Sequence, residues 1–225
     1  MAFDTKTFKT RTISAVIFAI VMLVGLLWNQ WSFVLLFTFI HFGAWYEFVK
    51  LLQKMNPVNY RTNLPLGLFY ISLPIVLFIF IRMEPLGGRS DDFLKVLPCG
   101  IILSIWINDT MAYITGSLIG KTPFSSISPK KTVEGTVGGI ILSVLIVTIL
   151  GSILGYYSWF HWLMISLISS VAGTLGDLLE SKLKRKAGVK DSGNILPGHG
   201  GFLDRFDSLL VAIPFVFVYY ELFIR

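Results

Sequence analysis

The chain has 225 residues, of which 54% are hydrophobic and 14% are charged, and its mean hydropathy is +0.73. This composition excludes a water-soluble globular domain. Several apolar runs reach the roughly 18–20 residues that a helix needs to cross a bilayer, so we predict an all-α, polytopic integral membrane protein with one domain over residues 1–225. The net charge of +6 lies in short segments between apolar runs, which indicates contact with a lipid bilayer and not with nucleic acid.

The apolar runs predict about seven membrane-spanning helices. The first run, at about residues 12–28, has the basic flank of a signal peptide, but it ends in Leu-Leu-Trp-Asn without a small-residue cleavage site, which favours a retained helix. A tight turn at Asn29-Gln30 follows it. The other six predicted spans lie at about 32–51, 64–82, 94–119, 136–156, 159–180 and 208–224.

Charged residues at the ends of these spans and inside them need an explanation. Glu47 lies near the end of the second span with Lys50 after it, which predicts an interfacial position and not a buried one. The segment 82–92 is mixed in charge and rich in glycine, which predicts an exposed connection. Asp109 lies inside the fourth span, where a carboxylate is costly. We expect it to face a cavity and a partner, the alternatives being an interhelical hydrogen bond or an interfacial position.

The distribution of basic residues predicts the orientation in the membrane. With the N-terminus in the cytoplasm, the cytoplasmic side receives all of the 19 basic residues except Arg82, Arg89, Lys95 and Arg225. This bias is what the positive-inside rule describes. The polar segments 121–135 and 181–206 then meet at the cytoplasmic face, where we expect the active site.

The polar segment that ends the sixth span reads SKLKRKAGVKDSGNILPGHGGFLDRFD, from Ser181 to Asp207. Gly200 and Gly201 follow His199, and glycine lets a backbone approach a ligand closely. Asp204 and Asp207 are three residues apart, so they share one face of a helix that begins there. His199 could be a base, a metal ligand, a hydrogen-bond donor to phosphate or a structural turn residue. The sequence does not choose among these roles.

Basic residues and sparse carboxylates together suggest a site for nucleotide phosphates. Asp177, Glu180, Ser181 and Lys184 fall on one helical stripe that leads into the polar segment. Carboxylates offer the oxygen ligands that Mg²⁺ prefers, while lysine, arginine and glycine amides bind phosphate. The stretch GSLIGKT at residues 116–122 is one residue short of a Walker A loop and follows a membrane helix instead of a strand, so that motif is excluded.

Two stretches resemble one known family. The run S-K-L-K-R-x4-K-D-S-G-x-x-L-P-G-H-G-G-x-x-D-R-x-D, residues 181–207, resembles the signature of the phosphatidate cytidylyltransferase, or CDP-diacylglycerol synthase, family. The run W-I-N-D-T-x-A-Y-x-x-G-x-x-x-G-K-T followed by S-P-K-K-T-x-E-G, within residues 106–135, is similar to a second motif of that family. Together they cover about a quarter of the chain. Many bacterial members have more hydrophobic sequence at the amino end.

The resemblance implies a reaction in which CTP and phosphatidic acid give CDP-diacylglycerol and pyrophosphate, with Mg²⁺ and, as a second candidate ion, K⁺. It implies a multi-pass protein of a bacterial inner membrane, with a homodimer as a candidate assembly. The attacking phosphate monoester is largely anionic at neutral pH, since the second pKa of such a group is about 6. The enzyme therefore has to align two anions and stabilise the leaving pyrophosphate more than it has to remove a proton.

The resemblance also assigns residues. Asp177 and Asp204 would hold the metal, with Asp207 as an additional ligand. The groups implied to bind phosphate are Lys184, Arg185, Lys190 and Arg205, of which Lys184 and Arg185 are also candidate catalytic residues. The groups implied on the CTP side are Asp109, Lys130, Lys131 and Glu134. Further candidate substrate contacts are Ser181, Asp191, His199, Gly200 and Gly201.

Three alternatives remain open from the sequence. A polyprenol kinase would also use CTP in a membrane, but the complete signature at residues 181–207 argues against it. A CDP-ether-lipid synthase would share the chemistry and differ only in the acceptor lipid. An ion or proton transporter could use Asp109 and Asp177, and it would leave the glycine-rich segment and the basic loops without a role.

Overall fold

The computed structural model describes residues 5–83, 90–195 and 200–225, with side chains from residue 12 onward. The described regular structure is helical, apart from one isolated antiparallel bridge between Pro123 and Thr132. The helices are α1 (Thr5–Leu27), α2 (Gln30–Met55), α3 (Pro65–Gly67), α4 (Leu73–Met83), α5 (Asp91–Ile119), α6 (Val133–Leu154), α7 (Trp159–Lys186) and α8 (Leu203–Phe223). A 3₁₀ turn, Tyr60–Asn63, precedes α3, and a π-helical turn, Leu68–Ser72, joins α3 to α4.

Six helical segments of the described chain are long and apolar enough to cross a membrane. They are α2, the continuous stretch Tyr60–Met83, α5, α6, α7 and α8. The apolar part of α1, Thr12–Leu27, is shorter than these. The all-α membrane fold is therefore confirmed, whereas the count of seven spans and the orientation in the membrane stay predictions.

Polar residues in front of the apolar runs define where helices begin. Asn29 starts α2 with a reciprocal cap, in which Asn29 Oδ1 accepts from Ser32 N at 2.8 Å and Ser32 Oγ accepts from Asn29 N at 3.1 Å. The tight turn predicted at Asn29-Gln30 is therefore confirmed. Ser90, Thr132 and Ser158 cap α5, α6 and α7 with a single bond each, in which the side-chain oxygen accepts from one of the first free backbone N–H groups.

Close helix packing at small residues holds α5 against α6 and α7 against α8. A Cβ added to Gly139 would lie 2.8 Å from the carbonyl oxygen of Asn108, and one added to Gly176 would lie 2.5 Å from the carbonyl oxygen of Asp207. Without side chains there, the backbones approach closely, as is common between membrane helices. These two contacts lie directly beside the residues of the candidate site, so the packing positions Asn108 and Asp207.

Connections alternate between the two ends of the bundle. We call the end with residues 120–132 and 187–202 the loop end, and the end where α4 stops and α5 begins the Arg82 end. Ser181–Lys186 belongs to the last turns of α7, so the first part of the predicted polar insert is helical and the connection proper is 187–202. The predicted helix start near Asp204 is confirmed, because α8 begins at Leu203.

The prediction that segment 82–92 is an exposed connection is wrong at its first residue. Arg82 is 0% exposed and donates to Asp91 Oδ1 at 2.5 Å. Lys95 lies 2.6 Å from the other oxygen of Asp91. A guanidinium can be buried beside α5 because a carboxylate from the first turn of α5 neutralises it. Residues 84–89 of this segment lie outside the described part of the chain.

Candidate active site

A cavity of about 580 Å³ opens at the loop end between α5, α6 and the 120–132 connection. Its wall brings together residues that lie far apart in the sequence, namely Asn108, Asp109, Tyr113, Lys130, Lys131, Thr132, Thr174 and Asp177. Asp109, Lys130 and Lys131 were all predicted on the CTP side, and they share this wall. The volume lies in the range of small-molecule sites. The polar side chains supply both cations and carboxylates.

Glu134 shapes the connection beside the cavity. Its carboxylate accepts hydrogen bonds from Lys121 N at 3.0 Å, from Thr122 N at 3.1 Å and from Thr122 Oγ1 at 2.8 Å. The backbone bond from Phe124 N to Lys131 O, at 2.8 Å, closes the same loop. Glu134 is not among the described residues that line the cavity, although it was predicted there. Its contacts instead hold the loop that carries Lys130 and Lys131.

Asp177 lies where the cavity meets α7. It forms an ion pair with Lys131, and Ser181 Oγ donates to its other oxygen at 3.3 Å. Ser181 thus supports Asp177 across one turn of α7. Asp109 stands close by on α5, beside the buried amide of Asn108, whose nitrogen is 3.5 Å from both Asp109 Oδ1 and Thr174 Oγ1. Asp109 is itself exposed, and it borders the cavity with the Asn108 amide beside it, so both the cavity and the partner that we expected for it are present.

Three carboxylates crowd together behind this wall. Asp177, Glu180 and Asp207 each place one oxygen within 4.8 Å of the others. Glu180 is 1% exposed and Asp207 is 8% exposed. Lys184 Nζ lies 2.5 Å from Glu180 Oε2. Like charges so close and so poorly hydrated repel one another, and a divalent cation with oxygen ligands relieves that repulsion. The donor set fits Mg²⁺.

Asp204 lies next to this cluster and is already fully engaged. Its Oδ1 accepts from Lys184 Nζ at 2.6 Å. Its Oδ2 accepts from Ser192 N at 2.8 Å, Ser192 Oγ at 2.9 Å and Gly201 N at 2.8 Å. The predicted metal set was Asp177, Asp204 and Asp207. The structure brings two of these together with Glu180, and it joins Asp204 to them through Lys184.

The carboxylate of Asp204 also explains why glycine stands at positions 200 and 201. Gly200 has a φ of +84°, a conformation that favours glycine, and a Cβ added there would lie 2.7 Å from Asp204 Oδ2. Gly201 offers its N–H to that oxygen. The two glycines therefore hold Asp204. His199, predicted as a substrate contact, lies outside the described residues.

The remaining residues that were predicted to contact substrate are dispersed. Arg185, Lys190 and Asp191 are exposed at the end of α7 and in the connection after it. Arg205 borders a different, small cavity beside Met22 and Trp106. None of these four is among the described residues that line the 580 Å³ cavity. The predicted phosphate contacts of Arg185, Lys190 and Arg205 and the predicted substrate contact of Asp191 stay predictions, and the structure does not bring these residues together with Lys130 and Lys131.

Sequence reasoning missed two members of this region. Glu180 entered only as part of a helical stripe, although its spacing of three residues from Asp177 and four from Lys184 was the available signal. Glu47 was predicted to be interfacial, and this was wrong because it is 1% exposed. It accepts hydrogen bonds from Ser192 Oγ at 2.7 Å and from the N–H groups of Phe202 and Leu203, each at 3.0 Å.

The fold and the site together define a polytopic membrane protein with a buried acidic cluster beside a cavity that carries lysines. The chain belongs to the cytidylyltransferase family, whose model matches residues 63–223. The match includes the cavity, the acidic cluster and both sequence motifs. The family resemblance stated from residues 106–135 and 181–207 is thereby confirmed.

Similar proteins carry a common name. The chain is 44% identical over 160 residues to a phosphatidate cytidylyltransferase of Bacillus subtilis, a match that covers 70% of this chain and 57% of that protein. It is 54% identical over 115 residues to one of Staphylococcus saprophyticus, covering 50% and 44%. It is 43% identical over 202 residues to one of Synechocystis, covering 79% and 68%. The chain spans about half the length of the first two relatives.

Proposed function

We propose that this protein transfers CMP from CTP to phosphatidic acid, forming CDP-diacylglycerol and releasing pyrophosphate. The observation that carries the proposal is that Asp177 belongs both to the cavity wall and to the carboxylate cluster. This residue pairs with Lys131 of the polar cavity and belongs to the carboxylate cluster with Glu180 and Asp207. A nucleotide triphosphate in the cavity would have cations on one side and a metal-binding group on the other. The names of the similar proteins agree with this reaction.

The reaction needs little acid–base chemistry from the protein. A phosphate oxygen of the lipid attacks the α-phosphorus of CTP, and the bond between that phosphorus and the bridging oxygen to the β-phosphate breaks. The pyrophosphate leaves with that electron pair. The lipid phosphate is already anionic, so the residues have to hold two anions in line and offset the charge that builds up. Lys130 and Lys131, which line the cavity, would do this for the triphosphate.

Asp177, Glu180 and Asp207 would hold Mg²⁺, because their oxygens converge and two of the three are buried. A bound Mg²⁺ would neutralise charge on the triphosphate and on the leaving pyrophosphate. Lys184, between Glu180 and Asp204, sets the local balance of charge by countering one carboxylate of the cluster. Asp204 orients Lys184. K⁺ as a second ion and a homodimer as the assembly stay predictions.

The location follows from the substrates. CTP is a cytosolic nucleotide and phosphatidic acid is a membrane lipid, so the loop end would face the cytoplasm of a bacterial inner membrane. That orientation agrees with the distribution of basic residues. The lipid would reach the site from the bilayer, with its acyl chains among the hydrocarbon and its phosphate at the loop end. Basic side chains around the connections would raise the local concentration of anionic lipid.

The test is transfer of label from α-³²P-CTP into lipid that extracts into organic solvent. Purified protein in detergent is given phosphatidic acid and Mg²⁺, and it is compared with Asp177→Asn and with Asp92→Asn. Asp92 makes the matched control because it is 76% exposed at the Arg82 end. We expect Mg²⁺-dependent labelling by the wild type and by Asp92→Asn, and loss of labelling in Asp177→Asn.

Other outcomes would redirect or overturn the proposal. Labelling of an ether-linked acceptor alone would keep the chemistry and change the lipid. Phosphate transfer from γ-³²P-CTP to a polyprenol would replace the proposal with a kinase. Equal labelling by wild type and Asp177→Asn would show that the acidic cluster has no part in the reaction. No transfer to any acceptor would overturn the proposed function.

A further inference from the structure

Helix α2 reaches into the site although it lies outside the segment that matches the family model, which begins at residue 63. The contact is made by Phe39, Gly43 and Glu47, which are four residues apart and therefore share one face of α2. The ring of Phe202 packs edge-on against Phe39 at a centroid distance of 5.5 Å. A Cβ at Gly43 would overlap the Phe202 ring. Glu47 lies at the end of this stripe.

Glu47 binds both ends of the connection between α7 and α8. Ser192, near its start, donates to Glu47 Oε2 at 2.7 Å. Phe202 and Leu203, at its end, donate their backbone N–H groups to Oε1 and Oε2. These are the first N–H groups of α8, whose N-cap residue Phe202 makes no side-chain cap. Glu47 therefore caps α8 from another helix, where a negative charge is favoured.

The surroundings leave little freedom in this contact. A Cβ added to Gly193 or to Gly201 would overlap the Glu47 carboxylate. Both glycines thus make room for the Glu47 carboxylate between the two ends of the connection. A carboxylate that is 1% exposed and accepts three hydrogen bonds is satisfied only in this geometry. Movement of α2 would therefore move Ser192, Phe202 and Leu203.

A continuous chain of polar contacts links Glu47 to the acidic cluster. The Ser192 hydroxyl lies 2.7 Å from Glu47 Oε2 and 2.9 Å from Asp204 Oδ2, so its single proton can be donated to either carboxylate. Asp204 accepts from Lys184 at 2.6 Å. Lys184 lies 2.5 Å from Glu180, a member of the cluster. Four short contacts thus connect α2 with the metal-binding group proposed above.

We propose that Glu47 is a positioning residue for CMP transfer, acting through Ser192 and the start of α8 to hold Asp204 and Lys184 in place. The inference rests on the proposed function for its kinetic readout, but the structural link to residues 187–202 can be tested without it. It makes α2 part of the catalytic unit. The described hydrogen-bond partners of Glu47 are not among the residues that line the polar cavity, so we assign it a positioning role and not a catalytic one.

The kinetic test is a double-mutant cycle with Glu47→Gln, Ser192→Ala and the double variant. Glu221→Gln is the matched control, because Glu221 pairs with Arg225 at the Arg82 end. We expect Glu47→Gln to lower kcat by at least about tenfold and to raise the Mg²⁺ concentration for half-maximal rate by about fivefold. The double variant should be no slower than Glu47→Gln, since Ser192 lies on the same path.

A loss of folded protein would lower the apparent rate without moving the Mg²⁺ dependence, which separates positioning from a general structural role. Unchanged Mg²⁺ dependence in Glu47→Gln would therefore overturn the inference. Rate losses that multiply in the double variant would overturn it as well, because they would show that Glu47 and Ser192 act independently. Glu221→Gln is expected to match the wild type in both readouts.

The second test does not require activity. Lys186 and Lys190 are exposed trypsin sites at the start of the connection, and Lys130 is an exposed site in the other loop. In Glu47→Gln we expect cleavage at Lys186 and Lys190 to speed up by about fivefold while cleavage at Lys130 is unchanged. Equal cleavage in both proteins would overturn the link. If the wild type transfers no CMP, the proposed function fails, and this experiment still decides the role of Glu47.

Discussion

The two ends of the bundle differ in the balance between their buried positive and negative charges. At the Arg82 end, the buried guanidinium of Arg82 meets Asp91, and Lys95 shares the same carboxylate, so opposite charges are balanced within the protein. At the loop end, four carboxylates, Asp177, Glu180, Asp204 and Asp207, outnumber the two lysines that pair with members of this group among the described residues, Lys131 and Lys184, so negative charge is in excess. A balanced pair needs nothing further, whereas an excess of buried negative charge calls for a cation from outside. The difference separates a structural end from a functional one.

Glycines at the two ends of the bundle also make room for different kinds of group. At the Arg82 end, a Cβ on Gly151 would overlap the Trp162 indole, a buried apolar ring. At the loop end, a Cβ on Gly193 or Gly201 would overlap the Glu47 carboxylate. At these positions the space is filled by an apolar ring at the Arg82 end and by a carboxylate at the loop end, although Gly43 makes room for the Phe202 ring at the loop end as well. Four substitutions test this contrast.

The largest effect is expected from Asp204→Asn at the loop end. The change removes the charge that holds Lys184 and weakens the bonds to Ser192 and Gly201. We expect kcat for CMP transfer to fall by at least about 1,000-fold, on the order of 4 kcal/mol. Folding is checked by protection of Cys99, the only cysteine, from a maleimide dye. A variant with wild-type turnover would show that Asp204 has no part in the site.

Asp91→Asn should act on stability alone. It leaves the Arg82 guanidinium buried without its carboxylate, although Asp91 is 46% exposed and water can replace part of the interaction. We expect a loss of about 1–3 kcal/mol. The midpoint of thermal unfolding, followed by dye labelling of Cys99, should fall by about 2–4 °C for each kcal/mol. The kcat of the folded protein should not change, and a lower kcat would break the separation between the two ends.

Lys130→Ala tests the cavity wall. Loss of one cation that faces the triphosphate should raise KM for CTP by about tenfold and change KM for phosphatidic acid much less. Lys121→Ala is the matched control, because Lys121 belongs to the same connection but is not among the described residues of the cavity wall. Equal changes in KM for CTP and for phosphatidic acid would show that the nucleotide does not bind in this cavity.

Tyr219→Phe should have the smallest effect. It deletes the hydroxyl that lies 2.9 Å from His161 Nδ1 between α7 and α8, near the Arg82 end. His161 is partly exposed, so water can take over the bond, and we expect a loss of at most about 1 kcal/mol in thermal unfolding. CMP transfer should remain at the wild-type rate. A marked loss of turnover would connect this end of α8 to the site.

Local signals in the sequence were sufficient for much of this structure. Apolar length predicted the six helical segments that are long enough to cross a membrane, and the turn predicted at Asn29-Gln30 agrees with the cap at Asn29. The motif residues Asp109, Lys130 and Lys131 were expected together, and they line one cavity. These successes depend on spacing within one helix or on the resemblance of a continuous stretch.

Contacts over long distances in the chain could not be predicted in this way. Glu47 is 145 residues from Ser192 and 156 from Leu203, and near Glu47 itself the sequence shows only a helix end followed by Lys50. Arg82 appeared exposed for the same reason, since its burial depends on Asp91 in the next helix. The exchange of Asp204 for Glu180 in the acidic cluster depends on side-chain direction at the crossing of α7 and α8.

The length of α7 has a consequence for kinetics. Its 28 residues extend about 42 Å at 1.5 Å per residue, whereas the hydrocarbon core is about 30 Å thick. A helix that starts at one membrane surface with Trp159 therefore carries Asp177, about 27 Å further along, to the far edge of the hydrocarbon core, and it carries the residues after Ser181 to the depth of the lipid headgroups. Phosphatidic acid would meet the site by lateral diffusion. Rates should therefore follow the mole fraction of this lipid in the membrane and fall when neutral lipid or detergent dilutes the surface, even at constant bulk concentration.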